Sequence, residues 1–156
     1  TAWACAADDA GSAGGSGGTK GIYVSGTQSV ASGSWITFTQ AATRNDFSAG
    51  DFVSGVFTVP AGQEGWYSLS FAPTYSPNNT FYVGAAIVVN GTIEAFSSDT
   101  TGSASLGSTV SVAHNAYLAA GATVRFNVRH STGASESITA RSSIVMLGGG
   151  GSGQDV

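Results

Sequence analysis

The sequence predicts an all-β protein built as an antiparallel sandwich, and three observations carry that prediction. The first is the segment Phe52–Phe71, FVSGVFTVPAGQEGWYSLSF, in which two aromatic-bearing runs are joined by a Pro-Ala-Gly turn. In its second run Tyr67, Leu69 and Phe71 face one way and Trp66, Ser68 and Ser70 the other. That period of two buries one face of a sheet and leaves the reverse polar. The second observation is Asn90-Gly91 between two alternating runs, a pair suited to a type I′ hairpin turn because both positions there take positive φ. The third is that no stretch sustains a 3.6-residue apolar period, while 23 glycines and many threonines weaken any helix.

Taken in order, strands are expected near Ile22–Val30, Trp35–Thr39, Asp51–Val59, Trp66–Tyr75, Phe81–Asn90, Thr92–Ser98, Thr109–Asn115, Thr123–His130 and Ile138–Leu147. The breaks between them hold Ser-Gly-Ser at 32–34, Pro60 to Gly62, Ser76-Pro77-Asn78-Asn79 and Ala119-Ala120-Gly121, the residues that tight turns select. Many short strands with such punctuation make a sandwich or jelly roll. Around this body, residues 22–148, lie three low-complexity zones. Residues 1–10, TAWACAADDA, carry Trp3 and end near Asp8 and Asp9; residues 11–21 are a Gly/Ser-rich linker; residues 149–156 form a flexible tail. An eleven-residue Gly-rich coil spans roughly 18 Å r.m.s., and residues 1–10 read either as a disordered terminus with an incidental Trp or as a docking arm on that tether.

Composition excludes several classes of function. Charged residues are 9% of the chain, against roughly 25% in an average globular protein, so the outer faces are covered by hydroxyls rather than ions. The net charge is −4, but Asp8, Asp9 and Asp155 lie in the terminal zones. Lys20 to Leu147 hold six acids against five bases, a body charge of −1. This gives no electrostatic footprint for nucleic acid and no polybasic patch for a membrane. The single cysteine, Cys5, precludes an intramolecular disulfide framework. No run approaches the ~20 apolar residues of a membrane span. Thr1 is consistent with removal of an initiator Met, and synthesis in a cytoplasm is expected.

The ordered features resemble the globular head domain of complement component one q, which shares a jelly roll with the tumour necrosis factor superfamily. That family shows a Phe, an Asn, an aromatic and a Phe opening a strand, then a Gly-x-Tyr-x-Phe-x-aromatic strand. Phe38, Asn45, Phe52 and Phe57 match the first set; Gly65, Tyr67, Leu69 and Phe71 match the second. Asn90-Gly91 matches the family's middle hairpin, and LAAGATV from Leu118 to Val124 resembles its Leu-x-x-Gly-Asp-x-Val turn. SSIVMLGG stands where the family has Ser-x-Phe-x-Gly-x-Leu. Leu69, Ala122, Ile144 and Met146 depart from the pattern. The resemblance implies a sandwich core filled by Tyr67, Leu69 and Phe71, and a tight homotrimer, often carried at the end of a stalk.

The motifs of chemistry do not assemble. His114 and His130 stand apart from any second ligand at metal-site spacing, and no cofactor or metal is expected. Gly14, Ser16 and Gly18 spell a nucleophile-elbow pattern, and Gly148, Gly150 and Gly153 a dinucleotide fingerprint. Both lie in low-complexity stretches without the strand and helix such motifs require. Asp46, Asp51 and Asp99 match no calcium-loop spacing. Asn78-Asn79-Thr80 and Asn90-Gly91-Thr92 fit the glycosylation triplet. The partner-facing candidates are Trp35, Trp66 and the outward row Arg125, Asn127 and Arg129, opposite Val124, Phe126 and Val128. The row can be solvated, meet another subunit or read a carboxylate, and the tryptophans can line an interface or stack on a sugar.

The expected function is that of a non-enzymatic trimeric module on the surface of a virus particle, a bacteriophage capsid decoration or a head or tail fibre knob. It would be docked on a larger capsid or tail protein through Trp3, Asp8 and Asp9. The alternative is a lectin-like head that binds a host glycan or receptor, including a knob on a bacterial cell or spore surface.

Overall fold

The computed structural model describes residues 19–75, 82–100 and 108–148. Its strands are β1 (Gly21–Val30), β2 (Ile36–Thr37), β3 (Ala42–Asn45), β4 (Phe52–Val53), β5 (Val56–Thr58) and β6 (Gly65–Tyr75), followed by β7 (Tyr82–Val89), β8 (Thr92–Thr100), β9 (Ser108–Thr109), β10 (Val112–Leu118), β11 (Thr123–His130) and β12 (Glu136–Met146). They form two antiparallel sheets. The first runs β10–β6–β12–β1–β3, with β9 extending β10 along the same edge of β6. The second runs β4–β5–β11–β7–β8, with β2 beside β5 on β11.

The inward faces close on one core. Tyr67, Leu69, Phe71, Ile22, Ile138 and Ile144 come from the first sheet, and Phe57, Val83, Ile87, Val124, Phe126 and Val128 from the second. Tyr67 and Leu69 are fully buried, as the alternation in β6 requires. Phe71 bridges the layers: its ring stacks on Phe126 at 5.1 Å and meets Phe38 at 5.6 Å. Tyr75 joins the sheets by a polar link, its hydroxyl donating to the Gly84 carbonyl of β7 at 2.6 Å. The hairpin at Asn90-Gly91 has φ of 51° and 82°, joins Val89 to Thr92, and matches the expected type I′ turn.

Several boundaries differ from the sequence expectation. Asp51–Val59 is not one strand but a hairpin: Phe52 faces Phe57, Val53 faces Val56, and Ser54 and Gly55 turn at φ of 51° and 81°. Asp51 closes a single 3₁₀ turn, Ala49–Asp51, and its carboxylate accepts from the Ser48 amide. The Ser-Gly pair is a turn signal that the apolar run around it masks. Thr109–Asn115 is divided at Val110 and Ser111 into β9 and β10, and the second part continues to Leu118. Within Trp35–Thr39 only Ile36–Thr37 is strand. The polar segment Ala42–Asn45 pairs as an edge strand on β1 although it has no apolar alternation. Strand pairing begins at Gly21, opposite Val145, and the Lys20 carbonyl accepts from Met146 at 2.9 Å. Both residues fall in the stretch assigned to the linker.

Gly55 is tied to its position twice over. It has positive φ, and an added Cβ would run into the Phe38 carbonyl oxygen. Gly55→Ala is therefore expected to destabilise the protein by about 1–3 kcal/mol through backbone strain, read as a lower urea midpoint. A change below ~0.5 kcal/mol, the usual range for neutral surface substitutions, would contradict the turn geometry.

Candidate functional site

A sandwich offers two outer faces, and here they differ in chemistry. The outer face of the first sheet carries Trp66, Ser68, Ser70, Ala72 and Thr74 on β6 and Ser137, Thr139, Arg141, Ser143 and Val145 on β12, in the alternation opposite the core residues. Hydroxyls pair across the strands: Ser70 with Ser143 at 2.7 Å, Thr27 with Thr139 at 2.8 Å, and Thr74 with Thr109 at 2.8 Å. Small side chains at Ser25, Ser70, Ala72, Ala113 and Ser143 leave an open groove of about 610 Å³ bordered by Tyr23 and Arg141. At one end Trp66 and Tyr117, opposite each other in register, make a T-shaped pair at 6.0 Å. Their relative exposures are 56% and 57%.

The outer face of the second sheet is aromatic and cationic. Arg125, Asn127 and Arg129 alternate with the buried Val124, Phe126 and Val128 along β11. Gly84 lies beside Arg129 in register, and a Cβ there would meet the Trp35 ring at 3.1 Å and the Tyr82 hydroxyl at 2.9 Å. Trp35 and Tyr82 thus cover the place where a side chain is missing. The Arg129 guanidinium stands 5.6 Å from the Tyr82 ring centroid, a cation–π distance. Phe96, 62% exposed, lies opposite Ala86, and Ile93, 41% exposed, opposite Val88. Asn127 is 8% exposed and accepts from the Thr37 hydroxyl at 3.1 Å, so its oxygen serves the fold. The Arg125 Nε is buried without a hydrogen-bond partner. Among the described residues the ion pair present is Arg44–Asp46 at 2.9 Å; neither Arg125 nor Arg129 pairs with an acid there.

The structure therefore divides the sequence candidates. Trp35, Arg125, Asn127 and Arg129 share the second sheet's outer face, and Trp66 lies on the opposite outer face with Tyr117. Trp3, Asp8 and Asp9 lie outside the described residues, as do Gly14, Ser16 and Gly18, Gly150 and Gly153, and Asn78-Asn79-Thr80. Sequence reasoning missed Tyr82, Ile93, Phe96 and Tyr117. Alternation from Trp66 across the β6–β10 pairing would have found Tyr117; Ile93 and Phe96 required knowledge of a bulge at Glu94, described by the register shift between Ile87 and Val88.

The titratable groups are occupied by structural work. His130 is fully buried, with Nε2 2.7 Å from the Val30 carbonyl and Nδ1 3.2 Å from the Thr132 hydroxyl. A carbonyl only accepts, so Nε2 donates to Val30 and Nδ1 accepts, from the Thr132 backbone amide at 3.4 Å. His130→Phe keeps a planar ring but removes the hydrogen bonds to the Val30 carbonyl and to Thr132. It is expected to cost about 1–3 kcal/mol, measured as a lower urea midpoint; an unchanged midpoint would contradict the bond. Asp46 accepts from both Arg44 and the Gly21 amide, which hold its carboxyl below the usual range. No three His, Cys, Asp or Glu side chains gather among the described residues.

Two tyrosines set a limit in alkali. Burial, aided by the Glu64 charge, pushes the Tyr67 phenol up to about 12, and burial raises Tyr75 as well. The unfolded chain then loses these protons at lower pH than the native one, near the ordinary tyrosine value of about 10. The stability they confer is complete below about pH 10 and falls as pH rises toward 12. Urea midpoints at pH 9, 10 and 11 should fall progressively, and Tyr67→Phe should flatten the fall.

The fold and these two faces define a jelly roll of the complement one q and tumour necrosis factor type. Among solved structures, the chain is similar to the globular domain of the zebrafish complement 1qA protein, at 16% identity and a TM-score of 0.56, over 83% of this chain and 96% of that one. It is also similar to the Eiger TNF of S. frugiperda, at 12% identity and a TM-score of 0.61, over 88% and 99%. Murine APRIL at pH 5.0 aligns at 10% identity and a TM-score of 0.58, over 83% and 99%. No protein-family model and no curated protein matches the sequence.

Proposed function

We propose that the protein is a non-enzymatic, self-associating head module on the surface of a bacteriophage particle, a capsid decoration or the knob of a head or tail fibre. Three copies meet through the outer face of the first sheet, and residues 1–10 hold the module on a larger capsid or tail protein. The observation that carries the self-association is the chemistry of that face: its central strands offer Arg141 as their one charge, amid hydroxyls and small side chains. Hydroxyls lose water at far lower cost than ions, and the open groove between Tyr23 and Arg141 gives another copy a place to seat. Trp66 and Tyr117 add large, rigid contact area of the kind that dominates interfaces. The particle setting is supported by the sequence organisation, a Trp-bearing decapeptide and a Gly/Ser-rich stretch ahead of a low-charge domain, and by analogy of fold.

Light scattering at micromolar concentration is expected to give the mass of three chains, and the protein is expected to co-sediment with purified particles. A monomer that does not co-sediment would overturn the reading. The aromatic and arginine-bearing face of the second sheet favours a second role, a glycan- or receptor-binding head on a phage, bacterial cell or spore. A glycan array with wild type and Trp66→Ala addresses it: binding lost in the variant would place the ligand on the first sheet instead.

A further inference from the structure

We infer that the outer face of the second sheet binds an anionic polysaccharide whose carboxylates are carried on successive sugars, as in a polymer of uronic acids. The inference rests on the proposed function in one respect: copies meeting through the first sheet leave the second sheet facing outward. Three features of that face point to the ligand. Arg125 and Arg129 have no acidic partner among the described residues, and the Arg125 Nε is buried with no hydrogen bond. A guanidinium fork matches a carboxylate in two parallel bonds. The arginines are four residues apart on one strand, ~13 Å along it. One carboxylate cannot serve both, whereas a polymer with repeated carboxylates can.

The third feature is the apolar surface between and beside them. Trp35 and Tyr82 lie over Gly84, and Phe96 and Ile93 stand exposed over Ala86 and Val88. Flat aromatic faces suit the C–H face of a sugar ring, while Thr37 holds Asn127 in place between the two cations. Charge and ring surface thus alternate along one face, as they do along a uronic acid chain.

The test is binding of the full chain to immobilised polygalacturonate, with neutral dextran and polyglutamate as companion surfaces. Wild type is expected to bind polygalacturonate and not dextran. Arg125→Gln and Arg129→Gln should each weaken binding about tenfold, the ratio that ~1.4 kcal/mol of a charged hydrogen bond represents. Phe96→Ser, at an exposed position that leaves the core intact, should weaken it as well, and Lys20→Gln, a cation beside Phe47 and away from that face, should leave it unchanged. Absence of binding, equal binding to dextran, or an equal loss in Lys20→Gln would overturn the inference. Binding to polyglutamate as tight as to polygalacturonate would also overturn it, in favour of an acidic polypeptide partner such as residues 1–10 of another copy. Mass and particle co-sedimentation of the wild type separate the two readings: if both are as expected while the wild type does not bind polygalacturonate, the saccharide inference fails and the attachment reading stands.

Discussion

Phe71→Ala is expected to bring the protein to the edge of unfolding at 25 °C. The ring is 1% exposed, comes from an interior strand of the first sheet, and packs on Phe126 and Phe38 from the other layer. Truncating such a ring costs about 3–5 kcal/mol from lost transfer energy and the cavity left behind. The two ring contacts, about 0.5–1.5 kcal/mol each beyond area burial, place the loss toward the upper end of that range. Against a total of about 5–15 kcal/mol for a typical domain, the loss is most of the available stability. The measurement is a urea titration followed by circular dichroism at fixed protein concentration, since the proposed self-association would make apparent stability concentration-dependent. Phe71→Leu, which keeps most of the volume, should lose far less. An alanine variant within ~1 kcal/mol of wild type would mean that the two layers do not meet at this ring.

Ser143→Arg is expected to convert the proposed trimer to monomers without unfolding the chain. Ser143 lies at the centre of the first sheet's outer face and shares a hydrogen bond with Ser70 at 2.7 Å. An arginine there can extend into water in a monomer. Between copies it would be a desolvated charge without a partner, which costs about 3–5 kcal/mol in comparable buried pairs, once for every copy. Light scattering should report the single-chain mass, with a circular dichroism spectrum like that of wild type. Ser98→Arg, at an exposed position on the second sheet, should leave the mass unchanged. If Ser143→Arg keeps the wild-type mass while Ser98→Arg reduces it, the faces have been assigned the wrong way round.

The core was the most legible part of the sequence. Tyr67, Leu69 and Phe71 alternate with Trp66, Ser68 and Ser70, and the structure buries the first set and turns the second outward. The reason is local: a strand buried on one face must repeat at two, so the sequence alone states which side is core. The Asn90-Gly91 turn was equally readable, because positive φ at consecutive positions restricts the residue choice. Less was legible wherever an element depended on a partner strand. Ala42–Asn45 carries no apolar alternation and is a strand because β1 offers it an edge. The hairpin at Ser54-Gly55 was masked by the apolar residues on both sides, although Ser-Gly is itself a turn signal.

The candidate site was legible as a set of residues but not as a surface. Trp35 and Trp66 look equivalent along the chain, and Arg125, Asn127 and Arg129 look like one uniform row. Packing gave the tryptophans to opposite faces, buried Asn127 against Thr37, and left the two arginines without acids among the described residues. A single extra residue at Glu94 placed Ile93 and Phe96 on the same side, three positions apart, where alternation would have separated them. Bulges change the parity of a strand without leaving a mark in composition.

By itself the sequence determined that this chain is a β sandwich of the jelly-roll type, with a core built around the Phe52–Phe71 segment and a low-charge exterior. Those properties follow from local rules of periodicity, turn chemistry and desolvation. Only the tertiary structure decided that its two outer faces differ, one of hydroxyls around a groove and one of aromatic rings and arginines. Which residues share a face depends on register, bulges and the pairing of strands far apart in the chain, and those are settled when the sheets close.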